Sequence, residues 1–358
     1  MPEQTKWYAQ KGSQGDVVLS TRVRLARNLA DTPFTARLDP QGKQKVAEEI
    51  RAAAKELPPA QKAIGAGAQK AIGAGAQKAI RALRWVDMAE IPQLAAVSMA
   101  ERRLISADFA RQELGTALLL RGDERVSVML CEEDHLRIQA YSPGLALEET
   151  YAMADELDTA LGRKLNYAFD QRLGYLTQCP TNLGTAMRAS VLLHLPALAA
   201  LERVGRLGES IAKLGLTIRG AFGEGSGAEG ALFQLSNQVT LGISEQQALD
   251  NLQAITLQIA EQERRAQSEL MQRSEWENKT WRAYGILRYA RILDSGDAIQ
   301  LLSLARLGAA RNILPVELET LNALMTDIQP ATLCLARQVI DAGQRDRARA
   351  EMIREALE

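Results

Sequence analysis

A chain of 358 residues, 46% of them hydrophobic, can bury a sizeable core, and its length corresponds to two or three domains. Its 43 Lys and Arg against 44 Asp and Glu leave a formal net charge of -1, which excludes a global field that would draw in nucleic acid or an anionic membrane. Any affinity for anions has to be local. Cys131, Cys179 and Cys334 stand far apart without CxxC spacing, and His135 and His194 are the only histidines, which argues against a disulfide framework or a protein-held metal site.

The opening stretch MPEQTKWYAQKGSQGD has no apolar signal core, and no run of about eighteen apolar residues follows, so a cytoplasmic location is expected. The first element, GDVVLSTRVRLARNL, alternates β-branched residues with arginine and predicts a strand. On that strand Arg22 and Arg24, at i and i+2, emerge from one face. Two fixed cations there suit a polyphosphate, and equally a solvated edge. Residues 43 to 56 read as helix. The unit QKAIGAGA then occurs twice and begins a third time, within residues 60 to 80. Its alanines and lysines favour helix while its glycines oppose it, so a frayed helix or loop and a dispensable insertion are expected.

GTALLLRGDERVSVMLCEEDHLRIQAYS predicts two strands joined by a turn at residues 121 to 124, the second ending at a charge cluster. Glu132, Glu133, Asp134 and Arg137 in that cluster suit a cationic substrate held beside an anionic one, or a solvated turn. Residues 146 to 162 and 197 to 214 predict amphipathic helices. In CPTNLGTAMRAS the apolar run after Arg188 reads as the start of a helix whose backbone amides would face an anion. IRGAFGEGSGAEG places Arg219 ahead of glycines that let main-chain amides approach phosphate. Ser244 and Gln247 have capping-box spacing, and Leu249, Leu252, Ile255 and Ile259 keep one apolar face. Helix signals dominate from there on. A mixed domain over 1–245 followed by a helical domain over 246–358 is the division these patterns predict.

LSTRVRLARN, EEDHLRIQ, RLGYLTQCPTNLGTAMRASVLLHLPAL and RGAFGEGSGAEGALFQLSNQVTLG together resemble the phosphagen (ATP:guanidino phosphotransferase) kinase superfamily, and most closely its bacterial protein arginine kinases, over residues 16 to 358. The resemblance implies an α+β fold: a catalytic antiparallel sheet flanked by helices, followed by an all-helical C-terminal domain. It implies binding of ATP with Mg²⁺ and phosphorylation of a guanidinium nitrogen. Kinases of free guanidino compounds place a helical domain ahead of STRVR, which here begins at residue 20, so a pocket open to larger substrates is implied.

By the same resemblance, Ser20, Thr21, Arg22, Val23 and Arg24 form the first ATP-binding segment, and Arg137 and Arg188 bind further phosphate oxygens. Ala189, Ser190, Val191 and Leu192 continue the Arg188 segment. Arg219, Gly220, Ala221, Phe222, Gly223 and Glu224 form the loop over the nucleotide, and Arg103 stands where relatives carry a histidine near adenine. Glu133 matches the carboxylate that holds the acceptor guanidinium and takes its proton, and Cys179 the cysteine lining the same pocket. Arg345, Asp346, Arg349 and Ala350 match the RDxxRA motif of an allosteric phosphoarginine pocket. A homodimer, arginine-bearing protein substrates, a zinc-finger activator and an AAA+ chaperone-protease are the implied partners.

Departures from the pattern leave a second reading open. GEGSG puts Gly227 where active relatives carry a second substrate-binding glutamate. On an extended chain Glu229 would share its face and substitute. Without a substitute, the protein is a catalytically impaired pseudokinase or a phosphoarginine-binding regulatory module. Cys131 replaces the asparagine of the usual NEEDH, and Phe222 is an aromatic typical of the protein kinase branch. A kinase of free arginine is the weakest reading.

Overall fold

The computed structural model describes residues 6–56, 83–111, 113–221, 228–339 and 341–358. The QKAIGAGA repeats, Phe222, Gly223, Glu224 and Gly227 lie outside them. In chain order the elements are β1 (Val18–Arg27), α1 (Pro40–Lys55), β2 (Leu83–Asp87), α2 (Gln93–Glu101), β3 (Ala117–Arg121), β4 (Val126–Leu130), β5 (Leu136–Pro143) and α3 (Leu147–Gly162). A small hairpin of β6 (Phe169–Asp170) and β7 (Gly174–Tyr175) precedes β8 (Met187–His194), α4 (Pro196–Ala200), α5 (Val204–Ala212), β9 (Leu216–Gly220) and β10 (Leu232–Asn237). Six helices complete the chain: α6 (Glu245–Met271), α7 (Ser274–Tyr289), α8 (Ser295–Ala310), α9 (Leu318–Asp327), α10 (Pro330–Arg337) and α11 (Ala342–Leu357). Among the described residues no helix is long and apolar enough to cross a membrane.

Eight strands form one antiparallel sheet in the order β2-β3-β4-β5-β1-β8-β10-β9. The predicted strand over GDVVLSTRVRLARNL is its centre, pairing with β5 on one side and β8 on the other. Val23 and Leu25 of β1 enter a core with Val128, Ile138, Ala189, Val191 and Leu235. α3 lies against this side. Arg27 and Asp158 form a buried pair at 2.6 Å, with the Tyr175 ring 3.5 Å over the guanidinium.

Two expectations fail at the middle of the chain. The run after Arg188 is not a helix but β8, and the anion-facing helix N-terminus expected there does not exist. Being central and buried on both faces, β8 needs apolar residues at successive positions, a pattern that a buried helix also shows. The helix expected over 197–214 is two short ones, parted where Glu202 takes a left-handed φ of 55°. α1 also starts earlier than expected, at Pro40, because Asp39 accepts the Gly42 N–H at 2.7 Å and Pro40 costs nothing in the first turn.

The capping box of α6 is formed, Gln247 N donating to Ser244 Oγ at 3.2 Å and Ser244 N to Gln247 Oε1 at 2.9 Å. Its apolar face, Leu249, Leu252, Ile255 and Ile259, is buried in the sheet's core. Deeper along α6, fully buried Glu263 accepts the N–H groups of Ala197 and Leu198, each at 2.9 Å, and so caps α4.

A second core joins Leu19, Leu192 and Leu232 of the sheet to Tyr284, Leu287, Leu302, Leu321 and Ile353 of the later helices. Fully buried Arg306 of α8 fastens this junction. Its guanidinium donates to Gly15 O at 2.7 Å, Asp16 O at 2.9 Å, Asn322 Oδ1 at 2.9 Å and His194 Nδ1 at 3.0 Å.

Candidate active site

The pairing of β1 fixes where its arginines stand. Arg22 lies opposite Ser190 on β8 and Tyr141 on β5, and Arg24 lies opposite Arg188 and Gln139. Residues two apart on β8 share a face, so Arg188 and Ser190 lie with Arg22 and Arg24, on the face where Leu192 meets the later helices. Thr21, Val23, Ala189 and Val191 face the other way: Val23, Ala189 and Val191 enter the sheet's core, and Thr21 Oγ1 donates to Gly144 O at 2.7 Å. Only backbone groups of these four can serve a ligand on the arginine face.

Like charges directly opposite one another destabilise a sheet. Here Arg24 and Arg188 are such a pair, and Arg22 and Arg137 act electrostatically on the same guanidinium. Burial above all, and then these cations, pull Arg24 well below the ordinary arginine range. Its buried Nε has no hydrogen-bond partner. Arg22 is held by Ser190 Oγ at 3.3 Å and Gln234 Oε1 at 3.0 Å, and Gln234 pairs across the sheet with Arg219 on β9. Gly220 ends β9 and Ala221 follows, its N–H donating to Leu232 O at 3.0 Å. Arg103 reaches the cluster from the end of α2. Burial and the neighbouring Arg22 bring its guanidinium down to about 10, still cationic at neutral pH. So much positive charge on one face is a device for a polyanion.

The acidic loop between β4 and β5 borders the cluster. Arg137 is clasped by Glu132 at 2.7 Å and Glu133 at 2.6 Å. The two acids differ in freedom. Glu132, 12% exposed, also accepts the Ser106 hydroxyl at 2.6 Å, whereas Glu133 is 34% exposed. Asp134, read with them as a charge cluster, is fully buried and serves the framework, accepting Asn28 Nδ2 at 2.7 Å and the Gln178 N–H at 2.8 Å. That second bond ties the acidic loop to the loop of Cys179, one residue on. Cys179 is partly exposed, with its Sγ 3.1 Å from Thr181 Oγ1, and it precedes a 3-10 turn, Pro180–Asn182. Asn182 Oδ1 accepts from Arg188 Nε at 3.2 Å, so one turn supplies the thiol and braces an arginine. Ser106, Asn28, Asn182 and Gln234 thus build the site without belonging to any spacing pattern. Asn28, Asn182 and Gln234 lay inside stretches the sequence singled out, but no role was read for them there.

Two other regions stand apart. Glu229 is exposed and opens a 3-10 turn, Glu229–Ala231, in which Gly230 has φ 60°, and the face it was expected to share with residue 227 lies outside the described residues. On α11, Arg345 and Arg349 share a face, but Arg349 is fully buried and already donates to Leu293 O at 2.8 Å, Ile328 O at 3.2 Å and Asp346 Oδ1 at 2.6 Å. Arg349 Nη2 and Arg345 Nε are buried without partners. Ala350 packs in the second core. Among the described residues no group of three His, Cys, Asp or Glu is placed to hold a metal ion.

Known proteins resemble this chain in sequence and in fold. The family profile of the ATP:guanido phosphotransferase C-terminal catalytic domain matches residues 66–266, and that of the protein-arginine kinase McsB C-terminal domain matches residues 273–358. The chain is 41% identical over 357 residues to a protein-arginine kinase of Moorella thermoacetica, covering 99% of this chain and 97% of that one. It is 42% identical to a protein-arginine kinase of Brevibacillus brevis, covering 99% and 95%. Among solved structures, the duplicated taurocyamine kinase of Schistosoma mansoni with bound transition state analog components superposes with a TM-score of 0.58 at 24% identity, over 70% of this chain and 33% of that one. A lombricine kinase gives 0.58 at 19% identity, over 73% and 70%. These structural likenesses carry the fold alone. The sequence relatives, matched along nearly the whole of both chains, carry more: the chain belongs to the ATP:guanido phosphotransferase family, in its bacterial protein-arginine kinase branch.

Proposed function

We propose that this protein transfers the γ-phosphate of MgATP to arginine side chains of other proteins. The observation that carries the reading is the Arg24–Arg188 pair, opposed across the sheet with a buried, unpartnered Nε beside it and the Glu133 and Cys179 loops at its edge. A polyphosphate relieves that repulsion, and Mg²⁺ enters with the nucleotide as part of the substrate. Arg22, Arg24, Arg137, Arg188 and Arg219 bind and orient the phosphates, with Arg103 toward the base and residues 220 to 224 over them. Guanidinium is a poor nucleophile because its lone pairs are delocalised and its charge opposes attack. Glu133, the freer acid, exchanges Arg137 for the incoming guanidinium, localises electron density on the attacking nitrogen and receives its proton as the N–P bond forms and the bond to ADP breaks. Glu132 keeps Arg137 in place. The arginines stabilise a loose, in-line transition state by charge and position.

Cys179 lines the acceptor pocket, and Glu229 is the candidate to replace the acid missing at Gly227. The unpartnered Arg345 and Arg349 nitrogens, beside Asp346, suit a phosphoarginine effector. Marking proteins for a cytoplasmic chaperone-protease, a homodimeric state and a zinc-finger activator complete the proposal. The test is transfer of labelled γ-phosphate to an arginine-rich unfolded protein, with free arginine alongside. Acid-labile, base-stable label on the protein alone is the expected result, and Glu133→Gln lowers its rate by at least about 100-fold. No label from protein that still binds ATP sinks the proposal and leaves the impaired reading, which Gly227→Glu then tests by restored transfer.

A further inference from the structure

Three consecutive charged residues at the end of α2 face three different parts of the molecule: Glu101, its last residue, Arg102, its C-cap, and Arg103 just after. The Glu101 carboxylate accepts the N–H groups of Ala331 and Thr332 and the Thr332 hydroxyl, each at 2.8 Å, at the start of α10. Gln329, the N-cap residue of α10, supplies no side-chain cap, so Glu101 does this from another helix and places a negative charge at the positive end of the α10 dipole. Ser98, one turn earlier on α2, meets the same hydroxyl at 3.1 Å. Arg102 pairs with Glu124 in the turn between β3 and β4. Arg103 follows in the left-handed conformation, φ 66°.

That conformation calls for explanation. Arg103 N donates to Ala100 O at 2.9 Å and Leu104 N to Met99 O at 2.9 Å, the bonding pattern of a helix terminus that usually ends in glycine. An arginine there costs energy that the surroundings must hold in place. Two anchors do so: Tyr141 Oη, which donates to the Arg103 carbonyl, and the Glu101 clamp two residues earlier. With the backbone fixed in this way, Arg103 is held by Tyr141, the residue opposite Arg22 on β5, and its guanidinium lies in the field of Arg22.

We infer that Glu101 is a positioning residue for the nucleotide: by capping α10 it holds the left-handed turn that aims Arg103 into the cluster, so the helical domain sets nucleotide affinity. This rests on the reading of Arg103 as a nucleotide contact. α10 is also the helix immediately before α11, so displacement of α10 changes the affinity of a site on the other side of the α2 junction.

The experiment is a double-mutant cycle read by direct binding of MgADP to the full-length protein, with KM for MgATP and for an unfolded protein substrate measured alongside. Glu101→Ala and Arg103→Ala each weaken MgADP by about 10-fold, and the double variant is no weaker than Arg103→Ala, because Glu101 acts only through Arg103. KM for the protein substrate stays within about twofold in Glu101→Ala, which a general loosening of the fold would not allow. Glu101→Gln, which keeps one acceptor oxygen, gives a smaller loss and serves where Glu101→Ala does not fold. Losses that add in full, or unchanged MgADP affinity in both Glu101 variants while Arg103→Ala weakens it, overturn the inference alone. Unchanged affinity in Arg103→Ala overturns the nucleotide reading of Arg103, and the inference with it.

Discussion

Arg24 is the residue whose surroundings make least sense for a protein without a ligand. It stands opposite Arg188, feels Arg22 and Arg137, and carries a buried Nε with no partner. A methionine of similar length removes the repulsion and the unmet donor while filling the space. We predict that Arg24→Met makes the free protein more stable, by about 1 kcal/mol, while weakening MgADP about 100-fold. Calorimetric melting with and without MgADP checks both halves. A lower Tm in the free variant would show that Arg24 is a structural cation. The pairing of Arg22 with Arg24 on one strand face was legible from their i, i+2 spacing. Arg188 as their partner was not, because register is a long-range property of the sheet that local periodicity does not encode. The acids show the same limit. Glu132, Glu133 and Asp134 are adjacent in sequence, yet one braces Arg137, one is left accessible and one is sealed in the framework.

At the scale of elements, the β6–β7 hairpin and the loop after Cys179 behave as one piece. A Cβ on Gly174 would stand 2.3 Å from Gly184 O, and one on Gly184, at φ 100°, would stand 2.1 Å from Thr240 O. These close backbone contacts set the loop that carries Cys179 and the Asn182 brace on Arg188. Gly184→Ala is therefore predicted to cost about 2 to 4 kcal/mol and to lower kcat more than Gly205→Ala in α5, which meets nothing within 4 Å. Urea unfolding and single-turnover transfer measure the two effects. Equal stability in the two variants would mean that the loop relaxes freely. The sequence made the long amphipathic elements readable, α3 and α6 above all, because each buries a single face. It misled over β8, where burial on both sides erases the alternation that separates strand from helix, and over residues 197–214, where Glu202 breaks a helix without glycine or proline.

Across the whole molecule, sheet and helices are joined by buried polar groups rather than by apolar packing alone, and His194 makes that junction sensitive to pH. Arg306 can only donate, so His194 Nδ1 accepts from it at 3.0 Å and Nε2 carries the proton toward Ser303 Oγ at 2.8 Å. His135 is arranged alike, Nδ1 accepting the Leu29 N–H at 3.0 Å and Nε2 facing Pro33 O at 2.9 Å. Burial lowers the pKa of both, and Arg306 lowers that of His194 further. The folded protein thus holds them neutral while the unfolded chain takes up protons below about pH 6.5, so stability is lost as pH falls through that value. Asp158 and Glu263, raised by burial, act in the opposite sense at lower pH. The His194 contribution is isolated by His194→Gln, whose amide can accept from Arg306 and donate to Ser303 without titrating. Between pH 7 and pH 5.5 the parent protein is predicted to lose about 1.2 kcal/mol more than this variant. Urea unfolding of both at the two pH values gives the difference directly. An equal loss in the two proteins would mean that His194 binds its proton in the folded state, and that the Arg306 junction opens before the protein unfolds.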